Sequence, residues 1–216
     1  MRTNRITLAV VVVIFLFAAP LLAQYGDEPF IECTLGGNLI FPTGYIKNDL
    51  QPDSLNAKTN IGFDLGVGYY VTNRIVAGIY MDMRNMKTKD FDLAHRGWAV
   101  GIYGKYLLFN MSEKSYSPYI KLGGGMIFNK LASKVFDDTT PKYRELSYDP
   151  ALTAEIALGM HIKTNDKGAV YLEGAYITDF MDNTTGRYES TDYKWGYNNK
   201  YVMIRAGVLF NIGPGD

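Results

Sequence analysis

The sequence repeats short segments in which every second residue is uncharged and mostly apolar. In residues 61–70, IGFDLGVGYY, one alternating set is Ile61, Phe63, Leu65, Val67 and Tyr69. The other set holds three glycines with Asp64 and Tyr70. Because successive side chains of a strand point to opposite faces, this pattern predicts a β-strand with one apolar and one polar face.

Eight such segments are predicted to be strands: 30–41, 61–70, 75–84, 97–108, 119–128, 151–162, 169–179 and 201–212. Each is close to the roughly 9–11 residues that a tilted strand needs to cross a bilayer. Longer polar connections follow the odd-numbered segments, and shorter turns follow the even-numbered ones. This alternation is typical of transmembrane barrels. The predicted fold class is therefore all-β, an eight-stranded antiparallel up-and-down transmembrane β-barrel with both chain ends on the short-turn side.

The two faces of the predicted strands differ in charge. One face carries none, and it suits lipid because an Arg or Lys at the bilayer midplane costs about 2–4 kcal/mol. The other face is predicted to form an inward-facing polar network, structural in role, that comprises Glu32, Asp64, Asp82, Arg84, Lys105, Lys121, Glu155, Glu173, Asp179 and Arg205. An eight-stranded barrel is just wide enough for its own side chains. We therefore expect these groups to pair, with Arg205 on Glu173 of the neighbouring strand.

Glycines on the polar face are expected to make room for inward tyrosines such as Tyr70, Tyr80 and Tyr103. Aromatic residues near the segment ends predict girdles at both membrane interfaces. One predicted girdle comprises Phe30, Tyr69, Tyr106, Tyr119 and Phe210. The other comprises Phe41, Trp98, Phe128, Tyr176 and Tyr201.

The N-terminal residues have the pattern of a secretory signal peptide. MRTNR is basic, an apolar run follows, and a cleavage site is expected after Ala23. The alternative is a membrane-anchor helix, although the apolar run is at the short limit for spanning. We expect a cleaved signal peptide over 1–23 and an exported barrel domain over 24–216. The single cysteine, Cys33, permits no intramolecular disulfide.

These features resemble the small outer-membrane β-barrel family, the OmpA- and OmpW-type eight-stranded barrels with an outer membrane protein beta-barrel domain. The residues that carry the resemblance are GGNLIFPTG (36–44), LGVGYYVTNRIVAG (65–78), SPYIKLGGGMIF (117–128), LEGAYITDF (172–180) and RAGVLFNIG (205–213). The resemblance implies insertion into a Gram-negative outer membrane by the barrel-assembly machinery. We expect a monomer in contact with outer-membrane lipid and lipopolysaccharide.

No catalytic, cofactor-binding or metal site is predicted. His95 with Asp90 and Asp92 has donors for a metal or an acid/base site, but polar loops contain such clusters by chance. Gly123–Gly125 lies in a strand and is not followed by Gly-Lys-Ser/Thr, so it is not a phosphate loop. The chain has 22 basic and 22 acidic residues, which gives no basic surplus for nucleic acid.

The predicted function is that of an integral outer-membrane protein with a closed polar interior and a structural or surface-interaction role, not an enzyme. Three alternatives stay open. The first is an OmpW-like channel for small hydrophobic molecules, which needs an apolar upper lumen. The second is a lipid-modifying outer-membrane enzyme. The third is a soluble lipocalin-like barrel, which needs the two faces to be reversed.

Overall fold

The computed structural model describes residues 31–43, 46–48, 51–55, 57–58, 60–88, 93–110, 114–137, 140–148, 150–165, 167–188 and 191–213. The predicted signal peptide lies outside these residues and stays a prediction. The regular elements are twelve β-strands: β1 Ile31–Pro42, β2 Ile46–Asn48, β3 Gln51–Leu55, β4 Ala57–Lys58, β5 Asn60–Thr72, β6 Ile75–Thr88, β7 Leu93–Leu107, β8 Tyr116–Asp137, β9 Thr140–Tyr148, β10 Ala151–Lys163, β11 Gly168–Tyr188 and β12 Thr191–Ile212.

Eight of these strands form a closed antiparallel barrel. The wall runs in the order β10-β11-β12-β1-β5-β6-β7-β8, and β8 pairs back onto β10. The first and last strands of the barrel pair along the whole of β1, from Ile31 opposite Ile212 to Pro42 opposite Tyr201. Each of the eight predicted strands corresponds to one wall strand, and the predicted fold class is confirmed.

Within the described residues, no helix is long and apolar enough to cross a bilayer.

Tight turns join the strands at one end of the barrel, as the lengths of the connections predict. Between β5 and β6, the Thr72 hydroxyl accepts hydrogen bonds from the backbone N–H groups of Arg74 and Ile75, at 3.2 and 3.0 Å. Between β10 and β11, Thr164 donates its hydroxyl to the Gly168 carbonyl at 2.9 Å. These side chains satisfy backbone groups where the sheet ladder stops.

At the other end the strands continue far into the segments predicted as polar loops. β8 extends to Asp137, β9 occupies part of the following segment, and β11 and β12 reach Tyr188 and Thr191. The prediction of loops over 129–150 and 180–200 was wrong for these parts of the chain. Outside a bilayer neither face of a strand has to be apolar, so the alternation that identifies a membrane strand is lost while the backbone ladder continues.

Side-chain burial alternates along each wall strand, with the polar face inside. In β10, ALTAEIALGMHIK, the buried set includes Thr153, Glu155 and His161, whereas Leu158 on the other face is 65% exposed. In β11, Leu172 is 58% exposed and Glu173 is 3% exposed. Apolar residues thus cover the outside of the barrel, which is the arrangement expected of a wall that faces hydrocarbon.

Two members of the predicted aromatic girdles face the lumen instead. Tyr119 is 2% exposed and Tyr201 is fully buried. Both occupy the same alternating positions as the inward residues of their strands, so the periodicity places them inside although they lie near strand ends. The girdle prediction was wrong for these two residues. Trp98, Phe128 and Phe210 are exposed at 41, 48 and 53%, on the outer face as predicted.

Candidate functional site

The lumen gathers all ten charged residues of the predicted inward network. Each has a relative exposure of 8% or less, and Glu32, Arg84 and Asp179 have none. They come from all eight wall strands, and each occupies an inward position of its own strand. This polar interior, which we call the lumen network, is the candidate functional site.

Arg205 on β12 is the centre of the network. Its guanidinium donates to Glu173 on the adjacent strand β11, to Glu155 on β10 at 2.7 Å and to Asp82 on β6 at 2.7 Å. The predicted pairing with Glu173 is present, and the two residues stand directly opposite each other in the β11–β12 ladder. The planar fork of an arginine suits several carboxylates at once. One cation therefore joins three separate strands to β12.

Arg84 on β6 makes a second crossing of the lumen, nearer the outer end. It donates to Asp82 on its own strand at 3.0 Å and to Asp179 on β11 at 3.0 Å. Three strands separate β6 from β11 in either direction around the wall, so this pair joins opposite sides of the barrel. Thr153 and the Tyr201 hydroxyl accept further hydrogen bonds from Arg84, at 2.9 and 2.7 Å.

Two lysines complete the pairing of the network. Lys121 on β8 lies 2.8 Å from Glu155 and 3.3 Å from Glu173. Lys105 on β7 contacts Glu32 on β1 across the end of the barrel that carries the short turns. Five of the six network carboxylates therefore contact at least one Lys or Arg, as buried charges require.

Buried tyrosines link the charged groups to one another. The Tyr103 hydroxyl donates to Glu32 at 2.9 Å, the Tyr119 hydroxyl to Glu173 at 3.0 Å, and the Tyr201 hydroxyl to Asp179 at 2.9 Å. The Tyr171 hydroxyl donates to Asp64. The sequence prediction listed none of these four tyrosines as a network member. These tyrosines occupy the same alternate positions of their strands as the charged residues, and this two-residue period is the signal that could have identified them.

Inward glycines make the space that these tyrosine rings occupy. A Cβ atom on Gly78 would lie 2.6 Å from a ring carbon of Tyr103, and one on Gly101 would lie 2.7 Å from a ring carbon of Tyr80. The predicted match of interior glycines with inward tyrosines is present at these positions. A cavity among these side chains has room for roughly one water molecule.

Of the two histidines, His161 is the one whose side chain the structure describes. His161 is fully buried, its ring lies 4.5 Å from the ring of Tyr119, and its Nε2 is 3.4 Å from Lys105 Nζ. The predicted alternative at Asp90, Asp92 and His95 rests on side chains outside the described part of the chain. In the part that is described, no group of three His, Cys, Asp or Glu residues is placed to hold a metal ion.

No family model and no curated protein sequence matches the chain. Solved structures do match. OprG, an outer membrane protein from Pseudomonas aeruginosa, has a TM-score of 0.58 at 10% identity over 88% of this chain and 99% of its own. AlkL, an outer membrane protein solved in lipid bilayers, has a TM-score of 0.55 at 9% identity over 90% and 95%. Neisserial surface protein A has a TM-score of 0.50 at 11% identity over 84% and 97%.

The matching structures also include OmpT, an outer membrane protease from Escherichia coli, with a TM-score of 0.41 at 9% identity. Identities this low describe a shared fold and assign no activity. OprG and AlkL are described as outer membrane proteins, and this chain shares their fold. The chain is a closed eight-stranded antiparallel barrel with the fold of the small outer-membrane β-barrels.

Proposed function

We propose that this chain is a non-enzymatic outer-membrane protein with a closed lumen, which acts through its wall and its outer surface in a structural or surface-interaction role. The observation that carries the proposal is the pair of cross-lumen arginines. Arg84 joins β6 to β11, and Arg205 joins β12 to β6, so charged bridges obstruct the interior at two levels.

Opening a passage would separate buried charges from their partners. Breaking one buried ion pair costs about 3–5 kcal/mol, and each arginine here makes several such contacts. The lumen network is therefore expected to stay closed at equilibrium, and its role is to hold opposite walls of the barrel together.

Three charged residues of the lumen network count against a channel for small hydrophobic molecules. Such a passage needs an apolar upper lumen, and Asp82, Arg84 and Asp179 occupy that level with exposures of 0–1%. The position of these residues near the outer end of the lumen follows from their contacts with Tyr201. Tyr201 contacts both Arg84 and Asp179, and it pairs with Pro42 at the outer end of β1.

The strands outside the barrel favour a role at the cell surface. β9 pairs with β8 along its length and with β11 at Gly186 and Arg187, and β11 pairs with β12 as far as Tyr188. β12 has ten residues, 191–200, beyond its pairing with the end of β1, which amounts to roughly 30 Å of strand. In this proposal, the sheet that extends beyond the barrel is the part of the chain that a partner contacts. In this proposal the protein is a monomer, inserted by the barrel-assembly machinery and surrounded by outer-membrane lipid and lipopolysaccharide.

Planar-bilayer recording from detergent-refolded protein tests the closed lumen. We expect no large stable conductance from the wild-type protein, and measurable conductance from an Arg84→Ala, Arg205→Ala double variant that still shows heat-modifiable gel mobility. A large stable conductance from the wild-type protein would contradict the proposal.

Incubation with labelled lipopolysaccharide tests the non-enzymatic part of the proposal. We expect no lipid product from the wild-type protein. Turnover that is abolished in a His95→Ala variant would instead assign a lipid-modifying activity to the outer segment that contains His95.

A further inference from the structure

Asp64 differs from the other acidic residues of the lumen network because it has no basic partner. The five others each lie within 3.3 Å of a Lys or Arg nitrogen. Asp64 is only 6% exposed, and the Tyr171 hydroxyl donates to its Oδ2. Among the described residues no Lys or Arg nitrogen lies within 4.0 Å of its carboxylate.

Asp64 also stands directly opposite a second carboxylate in the barrel wall. Its ladder partner on β6 is Asp82, which is 1% exposed and is bound by Arg84 and Arg205. Residues opposite each other in an antiparallel pair have Cβ atoms roughly 4.5–5.5 Å apart, and like charges at such positions are destabilising. The ladder partner of Asp64 on β1 is Gly36, which has no side chain to offset this repulsion. The position therefore disfavours a second negative charge.

Charged and titratable groups from several strands share a cavity with Asp64. Those on β6, β8, β11 and β12 are Tyr80, Asp82, Lys121, Tyr171, Glu173 and Arg205. Lys121 and Arg205 are the bases among them, and their ion pairs are with other carboxylates. The remaining titratable groups of the cavity contact Glu32, Glu173 or one another, and they are Tyr103, Lys105, Tyr119 and His161.

The second oxygen of the Asp64 carboxyl group, Oδ1, is closed to solvent and has no hydrogen-bond partner within the described structure. An ionised Asp64 would therefore hold its charge without a basic partner and beside the charge of Asp82. A buried carboxylate in such surroundings gives way to the neutral acid, because a hydroxyl group without an acceptor costs less than a charge without a counter-charge. A proton needs no space, so a closed position admits it.

We propose that Asp64 is a proton-binding site of the lumen, where its carboxyl group carries a proton on Oδ1 while the other five network carboxylates are ionised. The proton removes the repulsion between Asp64 and Asp82, and Oδ2 still accepts the hydrogen bond from Tyr171. In the unfolded chain, Asp64 has the ordinary aspartate pKa of about 3.9 and is ionised near neutral pH. Folding therefore takes up one proton at Asp64, and acidic surroundings favour the folded barrel through this site. The site goes beyond the closed-lumen role, because it acts whether or not the lumen conducts.

Infrared spectroscopy of the refolded barrel, in a detergent without carbonyl groups, tests the site directly. At about pH 5.5 an aspartate in water is almost wholly ionised. At this pH we expect the wild-type protein to show the C=O stretching band of a protonated carboxylic acid, and Asp64→Asn to lack it. Asp64→Asn keeps the size of the side chain and cannot take up the proton.

Glu173→Gln is the matched control. Glu173 is 3% exposed and accepts a hydrogen bond from a tyrosine hydroxyl, as Asp64 does, but it contacts Lys121 and Arg205. We expect this variant to keep the band. A wild-type spectrum without the band would overturn the proposal, and this measurement does not depend on the folding of any variant. A band of equal strength in wild-type protein and Asp64→Asn would also overturn it.

The dependence of stability on pH measures the proton that folding takes up. Urea titrations in lipid vesicles give the folding equilibrium constants of the wild-type protein and Asp64→Asn at each pH. Other titrating groups are common to both proteins, so the ratio of the two constants isolates Asp64. We expect the ratio of wild type to Asp64→Asn to fall about five- to tenfold as the pH rises from about 5 to about 6, because the folded state binds a proton that the unfolded state has lost.

The corresponding ratio of wild type to Glu173→Gln should stay constant over the same range, since a carboxylate with two basic partners is ionised throughout. A ratio of wild type to Asp64→Asn that is constant or rises with pH would reject the site, because an Asp64 that stays ionised takes up no proton on folding.

Discussion

Arg205 Nη2 lies 2.7 Å from Asp82 Oδ2, although β1 and β5 stand between their strands in the barrel wall. The contact therefore crosses the lumen and does not follow the wall. Both side chains have exposures of about 1%. The same Arg205 guanidinium also donates to Glu155 and Glu173. Loss of this one cation therefore removes a basic partner from three buried carboxylates.

Removal of Arg205 is expected to destabilise the barrel. We predict that Arg205→Ala lowers the free energy of unfolding by about 3–5 kcal/mol, because the carboxylates stay buried without their shared cation. Arg205→Met keeps most of the side-chain volume and should lose a similar amount, which separates the charge from packing. Urea titration of the folded fraction in lipid vesicles, read by gel mobility, measures both. Arg96→Ala, on the exposed outer surface of β7, is the control and should change stability by no more than about 0.5 kcal/mol.

The glycine run in β8 offers two neighbouring positions with opposite expected outcomes. A Cβ atom on Gly125 would collide with the backbone of Val100 and Gly101, whereas one on Gly124 would lie 3.5 Å from the nearest atom, the Thr153 carbonyl oxygen. We predict that Gly125→Ala lowers stability by about 1–3 kcal/mol. Gly124→Ala should be neutral or stabilising by up to about 1 kcal/mol, because it restricts the unfolded chain without a clash. Equal losses in the two variants would mean that the inward glycine is not needed for space.

The sequence predicted the wall of the barrel well because two different environments act on alternate residues. Hydrocarbon excludes charge from one face and the lumen collects it on the other, so the two-residue period is visible even without neighbouring strands. The pairing of Arg205 with Glu173 was predictable for the same reason, since it requires only that consecutive strands pair.

Other features of the structure cannot be read from the alternation of apolar and polar residues along a single strand. The contacts of Arg84 with Asp179 and of Tyr171 with Asp64 cross the lumen, and their partners depend on the stagger of strands around the closed barrel. Tyr119 and Tyr201 were assigned to the girdles from their position near strand ends, although their phase placed them inside. The outer parts of β8, β11 and β12 were missed because water on both faces leaves no apolar set to detect.

Arg84 and Asp179 are expected to be energetically coupled across the lumen. Each single change, Arg84→Ala or Asp179→Ala, leaves a buried charge without one of its partners. The double variant removes both charges, so its loss of stability should be smaller than the sum of the single losses by about 1–3 kcal/mol. A double-mutant cycle in lipid vesicles measures the coupling energy. Strict additivity would show that the two groups do not interact in the folded barrel.

Arginine substitutions along the outer face of β10 test which side of the wall meets hydrocarbon. Leu158 lies near the middle of this strand and Ile162 near its end at the short turn, and they are 65% and 48% exposed on the same face. We predict that Leu158→Arg lowers the free energy of unfolding in lipid vesicles by about 2–4 kcal/mol, because the charge is held at the bilayer midplane. Ile162→Arg should cost only about 0–1 kcal/mol, since its guanidinium reaches the interface. Equal costs at the two positions would contradict a membrane-embedded wall, because in water the depth along a strand carries no such difference.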